Sequence, residues 1–173
     1  MPDPPILGRA TLTVGLVIRL CAEGDLPALE WMGLFFPHRA VIREAFEAQE
    51  RGDGLMLLAL TGGFPVGQVW IDLARKREEG VAVLWAVRTF PPLQGAGIGR
   101  HLMTAAERIL RERGIHRAEL GVERANEGAR RFYERLGWRE EGAFRDVFRF
   151  TDPEGRIVEE PLDQWRMVKE LDG

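Results

Sequence analysis

The chain has no serine, one cysteine (Cys21), one asparagine (Asn126), one tyrosine (Tyr133) and two lysines (Lys76 and Lys169) among its 173 residues. Without serine, serine-hydrolase chemistry is excluded. A single cysteine can form neither an internal disulfide nor a multi-cysteine metal site. Cys21 reads as a small buried hydrophobe rather than a nucleophile. The three histidines, His38, His101 and His116, share no metal-ligand spacing, and no histidine–glutamate pair falls on one helix, so no metal is expected. The formal charge of −3 lacks the basic excess of a nucleic-acid surface. No segment approaches the ~20 apolar residues of a membrane span. The stretch from Thr11 to Cys21 contains Arg19, has no small-residue cleavage site and alternates like a strand. No membrane association is expected, and the cytoplasm is the expected compartment.

What is present is ordinary for a soluble domain: 45% hydrophobic and 29% charged residues. That length suits one domain over residues 1–173, with residues 1–11, which carry Pro2, Pro4 and Pro5, as a loose arm. Thr13 to Leu20 reads as a strand, Asp25 to Gly33 as a helix and Pro37 to Arg51 as a second helix. Leu55–Leu60 and Phe64–Leu73 flank Gly62 and Gly63 as a hairpin. After a turn over 75–80, Val81–Thr89 is a strand and Gly97–Arg113 a long amphipathic helix. Ala118–Glu123 is a strand, Asn126 opens a helix ended by Gly137, and strands over Trp138–Phe150 and Gln164–Leu171 close the chain. Such an order predicts an α/β domain on a mixed, mostly antiparallel sheet.

The most informative segment is Gln94-Gly95-Ala96-Gly97-Ile98-Gly99-Arg100, between a strand and a long helix. Its glycines let backbone N–H groups approach an oxyanion, and the helix start behind them leaves N–H groups unpaired and partly positive. A pyrophosphate suits such a cradle. The P-loop pattern fails because no lysine follows, and the dinucleotide fingerprint fails because Arg100 stands where its third glycine belongs. A glycine-rich helix entry without a ligand is the plain alternative. What remains is Gln-x-x-Gly-x-Gly at Gln94, Gly97 and Gly99.

A second motif runs from Asn126 as N-E-G-A-R-R-F-Y-E-R-L-G-W. It contains the sole asparagine and the sole tyrosine. Together the two segments resemble the acetyl-CoA loop and following helix of the GNAT acyltransferases, specifically over 81–138. The resemblance implies the GNAT fold: mostly antiparallel strands, about four helices and two central parallel strands, Val81–Thr89 and Ala118–Glu123, splayed at their ends. It implies acetyl-CoA as co-substrate and direct attack by an amine, with no covalent enzyme intermediate. Backbone groups of Val87, Arg88 and Thr89 would contact the acyl and pantetheine portions. Gln94, Gly95, Ala96, Gly97, Ile98, Gly99 and Arg100 would form the pyrophosphate loop, and Asn126 would touch the pantetheine arm while capping its helix. Tyr133 would be the general acid for the departing thiolate. A homodimer through the last strands is also open to such a chain.

The resemblance leaves the base unassigned. Where some relatives place a glutamate five residues before the asparagine, this chain has Gly121. Glu119 and Glu123 lie on the same strand face as Gly121, and either would act through a water in the space it leaves. Asp72 and the Glu78–Glu79 pair are further candidates. Trp31, Phe35, Phe36, Trp70 and Trp85 would wall a pocket for a small-molecule or protein amine. Two alternatives stand beside this reading: a non-catalytic CoA-binding module, and transfer of another acyl group.

Overall fold

The computed structural model describes residues 1 and 3–171. The elements are β1 (Val17–Leu20), α1 (Arg39–Arg51), β2 (Gly54–Thr61), β3 (Phe64–Lys76), β4 (Val81–Thr89), α2 (Ile98–Glu112), β5 (Arg117–Glu123), α3 (Glu127–Arg135), β6 (Arg139–Thr151) and β7 (Ile157–Glu170). An eight-residue 3-10 helix, Glu23–Glu30, lies between β1 and α1. One sheet carries the strands in the order β1-β2-β3-β4-β5-β7-β6. Its pairs are antiparallel except β4 with β5.

That parallel pair is short. It runs from Val81↔Arg117 to Leu84↔Leu120 and stops. Beyond it β4 stays with β3 as far as Thr89, opposite Gly67, while β5 stays with β7 as far as Glu123, opposite Gln164. The sheet therefore splits. A bulge marks the point of departure: two steps on β3, from Gln68 to Trp70, face three on β4, from Arg88 to Trp85. Ala86 sits there at φ 48°, a left-handed conformation costing a residue with a Cβ about 1–2 kcal/mol. Such strain persists where surrounding structure over-determines the backbone, commonly at functional sites.

Each face of the sheet carries its own core. On one, Leu102, Met103, Ala106 and Leu110 of α2 pack on Leu57, Val69 and Leu84, with Tyr133 and Trp138 beside them. On the other, Val41, Ile42, Ala45 and Phe46 of α1 join Leu29, Met56, Leu58, Trp70 and Phe150. The α1 stripe, with Ala45 and Phe46 one turn beyond Val41 and Ile42, follows the helical period that a one-sided burial requires.

Several boundaries differ from expectation. β1 begins at Val17 rather than Thr13, because its sole partner β2 ends at Thr61 and Val17 already faces Leu60. The first helix is 3-10 and ends at Glu30; Pro27 within it has no N–H to give. The second begins with a 3-10 turn, Phe36–His38, before α1. β3 extends to Lys76, and a 3-10 turn, Arg77–Glu79, completes the connection. β7 starts at Ile157, well before Gln164. Its first half pairs only with β6, so Pro161 lies on an open edge, where a missing N–H is tolerated.

A buried ionic knot ties α2, the end of α3 and β7. Glu107 is 6% exposed. It accepts from the Trp138 indole N–H at 3.1 Å and from Lys169 Nζ at 2.8 Å, and Lys169 also donates to the Leu136 carbonyl at 2.6 Å. Arg111 Nη2 also approaches Glu107, at 3.4 Å. Removing Glu107 leaves the Trp138 indole N–H unpaired and Lys169 with the Leu136 carbonyl alone, and breaking a buried pair in this way costs more than the pair contributes. Glu107→Ala should lower unfolding stability by about 3 kcal/mol in a urea titration, and adding Lys169→Met should recover part of it. A single-variant loss under about 1 kcal/mol would show the knot to be dispensable.

Candidate active site

The glycine loop lies at the mouth of the split. After β4, Pro91–Leu93 form a 3-10 turn, and Gln94 Nε2 donates to the Thr89 carbonyl at 3.4 Å. Gly95 and Gly97 have φ of 83° and 87°, which side chains with a Cβ rarely adopt. The loop's amides divide into two groups. Gln94 and Ala96 donate to the carbonyls of Pro91 and Leu93. Gly95, Gly97, Ile98, Gly99 and Arg100 donate to no described group, and His101 makes the first helical bond, to Gly97. No side chain caps α2 and no acidic residue occupies its first turn. Five unclaimed amides, a helix start and Arg100 thus lie together, an arrangement that fits a diphosphate.

α3 packs against this loop. A Cβ added to Gly99 would meet the Phe132 ring at 3.3 Å, a tight contact that the bare glycine avoids. Asn126 caps α3, its side-chain oxygen accepting from Ala129 N–H at 3.0 Å. The Asn126 amide N–H2 has no hydrogen bond to a described residue, so capping leaves it free to donate. Tyr133 is buried beside Phe132 and Trp138, with ring centroids 5.1 and 6.1 Å away. Its hydroxyl bonds to no described residue, and burial pushes its pKa up from the ordinary phenol value.

The candidate bases on β5 are differently placed. Glu119 is 8% exposed and ringed by Lys76 at 2.6 Å, Arg117 at 3.5 Å and Arg166 at 3.9 Å. Glu123 is exposed, at the end of β5 where β4 no longer pairs with it, and accepts from Gln164 Nε2 at 3.0 Å. The space over Gly121 holds a side chain rather than a vacancy for water: a Cβ there would lie 2.1 Å from Gln164 Oε1 and 3.1 Å from the Phe144 ring. Asp72 spends Oδ1 on the N–H groups of Ala74 and Arg75. Glu78 and Glu79 sit before Val81, at the paired end of β4, away from the split.

On the α1 face the split opens into a cavity of about 520 Å³. Trp85, Ala86 and Arg88 of β4, Gly121 of β5, Phe148 of β6, Glu160 and Gln164 of β7, and His38 contribute to its walls. The expected aromatic wall is thereby corrected. Trp31 and Trp70 are core residues, 3% and 1% exposed, donating to the Pro65 carbonyl and to Gln68. Phe36 is exposed under Arg39. Trp85 lines the cavity, and Phe35 supports it from behind through Arg88. His38, Glu160 and Gln164 went unnoticed in the sequence, where nothing distinguishes them. Arg88 does carry a sequence signal, as the one charge in the apolar run of β4.

Cys21 falls just past β1 rather than within it. It is buried, and desolvation pushes its thiol to about 12, which removes it as a nucleophile at neutral pH. Among the described residues, no group of three or more His, Cys, Asp and Glu side chains is placed to hold a metal. No helix among them is long and apolar enough to cross a membrane.

Residues 25–138 match the family described as "Acetyltransferase (GNAT) family". The chain belongs to that family. The split sheet is the GNAT fold. An uncharacterized N-acetyltransferase of Methanocaldococcus jannaschii is 37% identical over 104 residues, 57% of this chain and 45% of that protein. A mycothiol acetyltransferase of Brachybacterium faecium is 41% identical over 98 residues, 53% of this chain and 28% of its own length. The chain thus spans less than half of these curated relatives. The PaiA N-acetyltransferase of Thermoplasma acidophilum, solved in complex with coenzyme A, superposes with a TM-score of 0.68 at 20% identity, over 90% of this chain and 99% of that one.

One feature of the GNAT cavity is open to direct titration. His38 packs between Phe35, Phe148 and Phe150, with Nδ1 buried and unpartnered. Burial, and then the Arg88 charge, hold its pKa below 6.5, against a smaller opposing pull from Glu160. The unfolded chain then takes up the proton first, so His38 costs stability as pH falls below 6.5 and nothing above it. In an NMR titration its imidazole should titrate below 6.5 and move upward in Arg88→Gln. A midpoint at or above 6.5 would contradict the burial.

Proposed function

We propose that this GNAT chain transfers an acetyl group from acetyl-CoA to a primary amine of a small molecule or protein, by direct attack within a ternary complex. The observation that carries the reading is the set of unclaimed amides at Gly95, Gly97, Ile98, Gly99 and Arg100, packed against the helix that bears Tyr133. When bound, acetyl-CoA supplies the thioester carbon that the amine attacks. The loop holds the diphosphate, with Gln94 and Ala96 shaping it through their own internal bonds. The open edge of β4 over Val87, Arg88 and Thr89 receives the pantetheine as an added strand would be received. Asn126 donates its free N–H2 to the same arm.

Tyr133 stays neutral and donates a hydrogen bond to the sulfur as charge develops there. Its raised pKa weighs against full proton transfer, since a thiol titrates near ~8.5, below even an unperturbed phenol. The acceptor ammonium must lose a proton before attack, because an alkylamine titrates near ~10. Glu123 takes it through water at the open end of β5. Glu119 is instead occupied by Lys76, Arg117 and Arg166. The lone buried thiol, with no disulfide, suits a reducing cytoplasm.

Thiol release from acetyl-CoA across a panel of amines tests the reading, with propionyl- and succinyl-CoA as competing donors. Tyr133→Phe should lower kcat by about 10²-fold or more while CoA affinity, read by calorimetry, changes little. A loss under about threefold removes Tyr133 from the mechanism. CoA binding without release for any amine would favour a binding module.

A further inference from the structure

The cavity on the α1 face contains a charge that the acetyl-transfer reading does not use. Arg88 extends from the bulged segment of β4 onto the face opposite α2, its guanidinium 4.2 Å from the Phe35 ring centroid and 5.8 Å from that of Trp70. Aromatic faces orient a guanidinium but offer no acceptor to its five N–H donors. Arg88 makes no hydrogen bond or ion pair with any described residue, although the chain pairs nearly every other partly buried cation it has. Lys76, Lys169 and Arg117, for instance, all hold carboxylates. Desolvation is deep enough to pull its pKa down to about 10, so a charge held here without a partner is costly. Such a charge makes sense as half of an interaction completed by a ligand.

The surrounding charges narrow what that ligand is. Asp146 is engaged by Arg75 at 3.2 Å and by its neighbour's N–H, and Asp72 by two backbone N–H groups. Glu160 lines the same cavity, has no hydrogen bond or ion pair with a described residue, and is not paired with Arg88. One free cation and one free anion thus share a cavity of about 520 Å³, a size typical of small-ligand sites. With three carboxylates nearby, a doubly charged phosphate is disfavoured. A single carboxylate, matched in plane and charge to the guanidinium and accompanied by a cationic amine, is favoured.

We infer that the acceptor is an amine that also carries a carboxylate, and that Arg88 binds this carboxylate through its guanidinium. The inference rests on the acetyl-transfer reading for the amine, but the anion site can be tested separately. Amino acids and dipeptides are compared with their C-terminal amides, by thiol release from acetyl-CoA and by titration of the tryptophan fluorescence, to which Trp85 beside the site contributes. The acid-to-amide ratio of kcat/KM should be about tenfold or more in the wild type and fall toward one in Arg88→Gln. Arg88→Lys, which keeps the charge but loses the planar fork, should fall between. Using the ratio within each protein cancels any loss common to both substrates. Amides that bind or react as well as acids, an absence of binding by either, or a preference surviving in Arg88→Gln would each overturn the inference. Amides reacting as well as acids would do so while leaving acetyl transfer intact. Acid-selective quenching with no thiol release would sink acetyl transfer and keep the anion site.

Discussion

The parting of β4 from β5 after Leu84 and Leu120 is the constraint on which the rest of the molecule depends. Two parallel strands that begin hydrogen-bonded have every reason to continue, since unpaired backbone groups in a sheet interior are expensive. Here they part, and each continues along its outer neighbour. β3 follows β4 through the bulge at Ala86, and β7 follows β5 to Glu123. The gap leaves backbone groups of β4 without partners, and a ligand with amides of its own can complete them. The same gap joins two surfaces that a continuous sheet would keep apart.

Those surfaces have opposite characters. On the α2 face, glycine conformations and a helix start gather N–H groups that nothing else claims. Tyr133 waits nearby in an apolar setting that keeps its proton in place. On the α1 face, the bulge turns Arg88 toward a cavity with fixed charges of both signs. On the function proposed, a donor held from one side and an acceptor held from the other would meet at the split, which would align a nucleophile with a thioester. The Glu107–Lys169–Trp138 knot keeps α2, the end of α3 and β7 in register around it.

The α2 face was largely legible in the sequence and the α1 face was not. The spacing of Gln94, Gly97 and Gly99 and the lone Asn126 and Tyr133 are local signals, each contained in one strand–loop–helix unit. The splay followed from the resemblance those signals carry. The cavity, in contrast, is assembled from His38, Arg88, Gly121 and Glu160, which are far apart in the chain and joined only by topology. Gly121 misled for the same reason. Its missing side chain reads as space, but Gln164 from a strand 43 positions later fills it (164 minus 121). The length of β7 was hidden by Pro161 and its polar neighbours, which are tolerated because β5 ends at Glu123 and leaves that edge of β7 unpaired.

The most direct measurement is a two-dimensional amide NMR titration of the isotopically labelled protein with coenzyme A. The amide resonances of Gly95, Gly97, Ile98, Gly99 and Arg100 should shift together and saturate with one affinity, with those of Gln94 and Ala96 moving less. If coenzyme A at millimolar concentration leaves these five amides unmoved, the loop does not hold the diphosphate and the functional reading built on it is wrong.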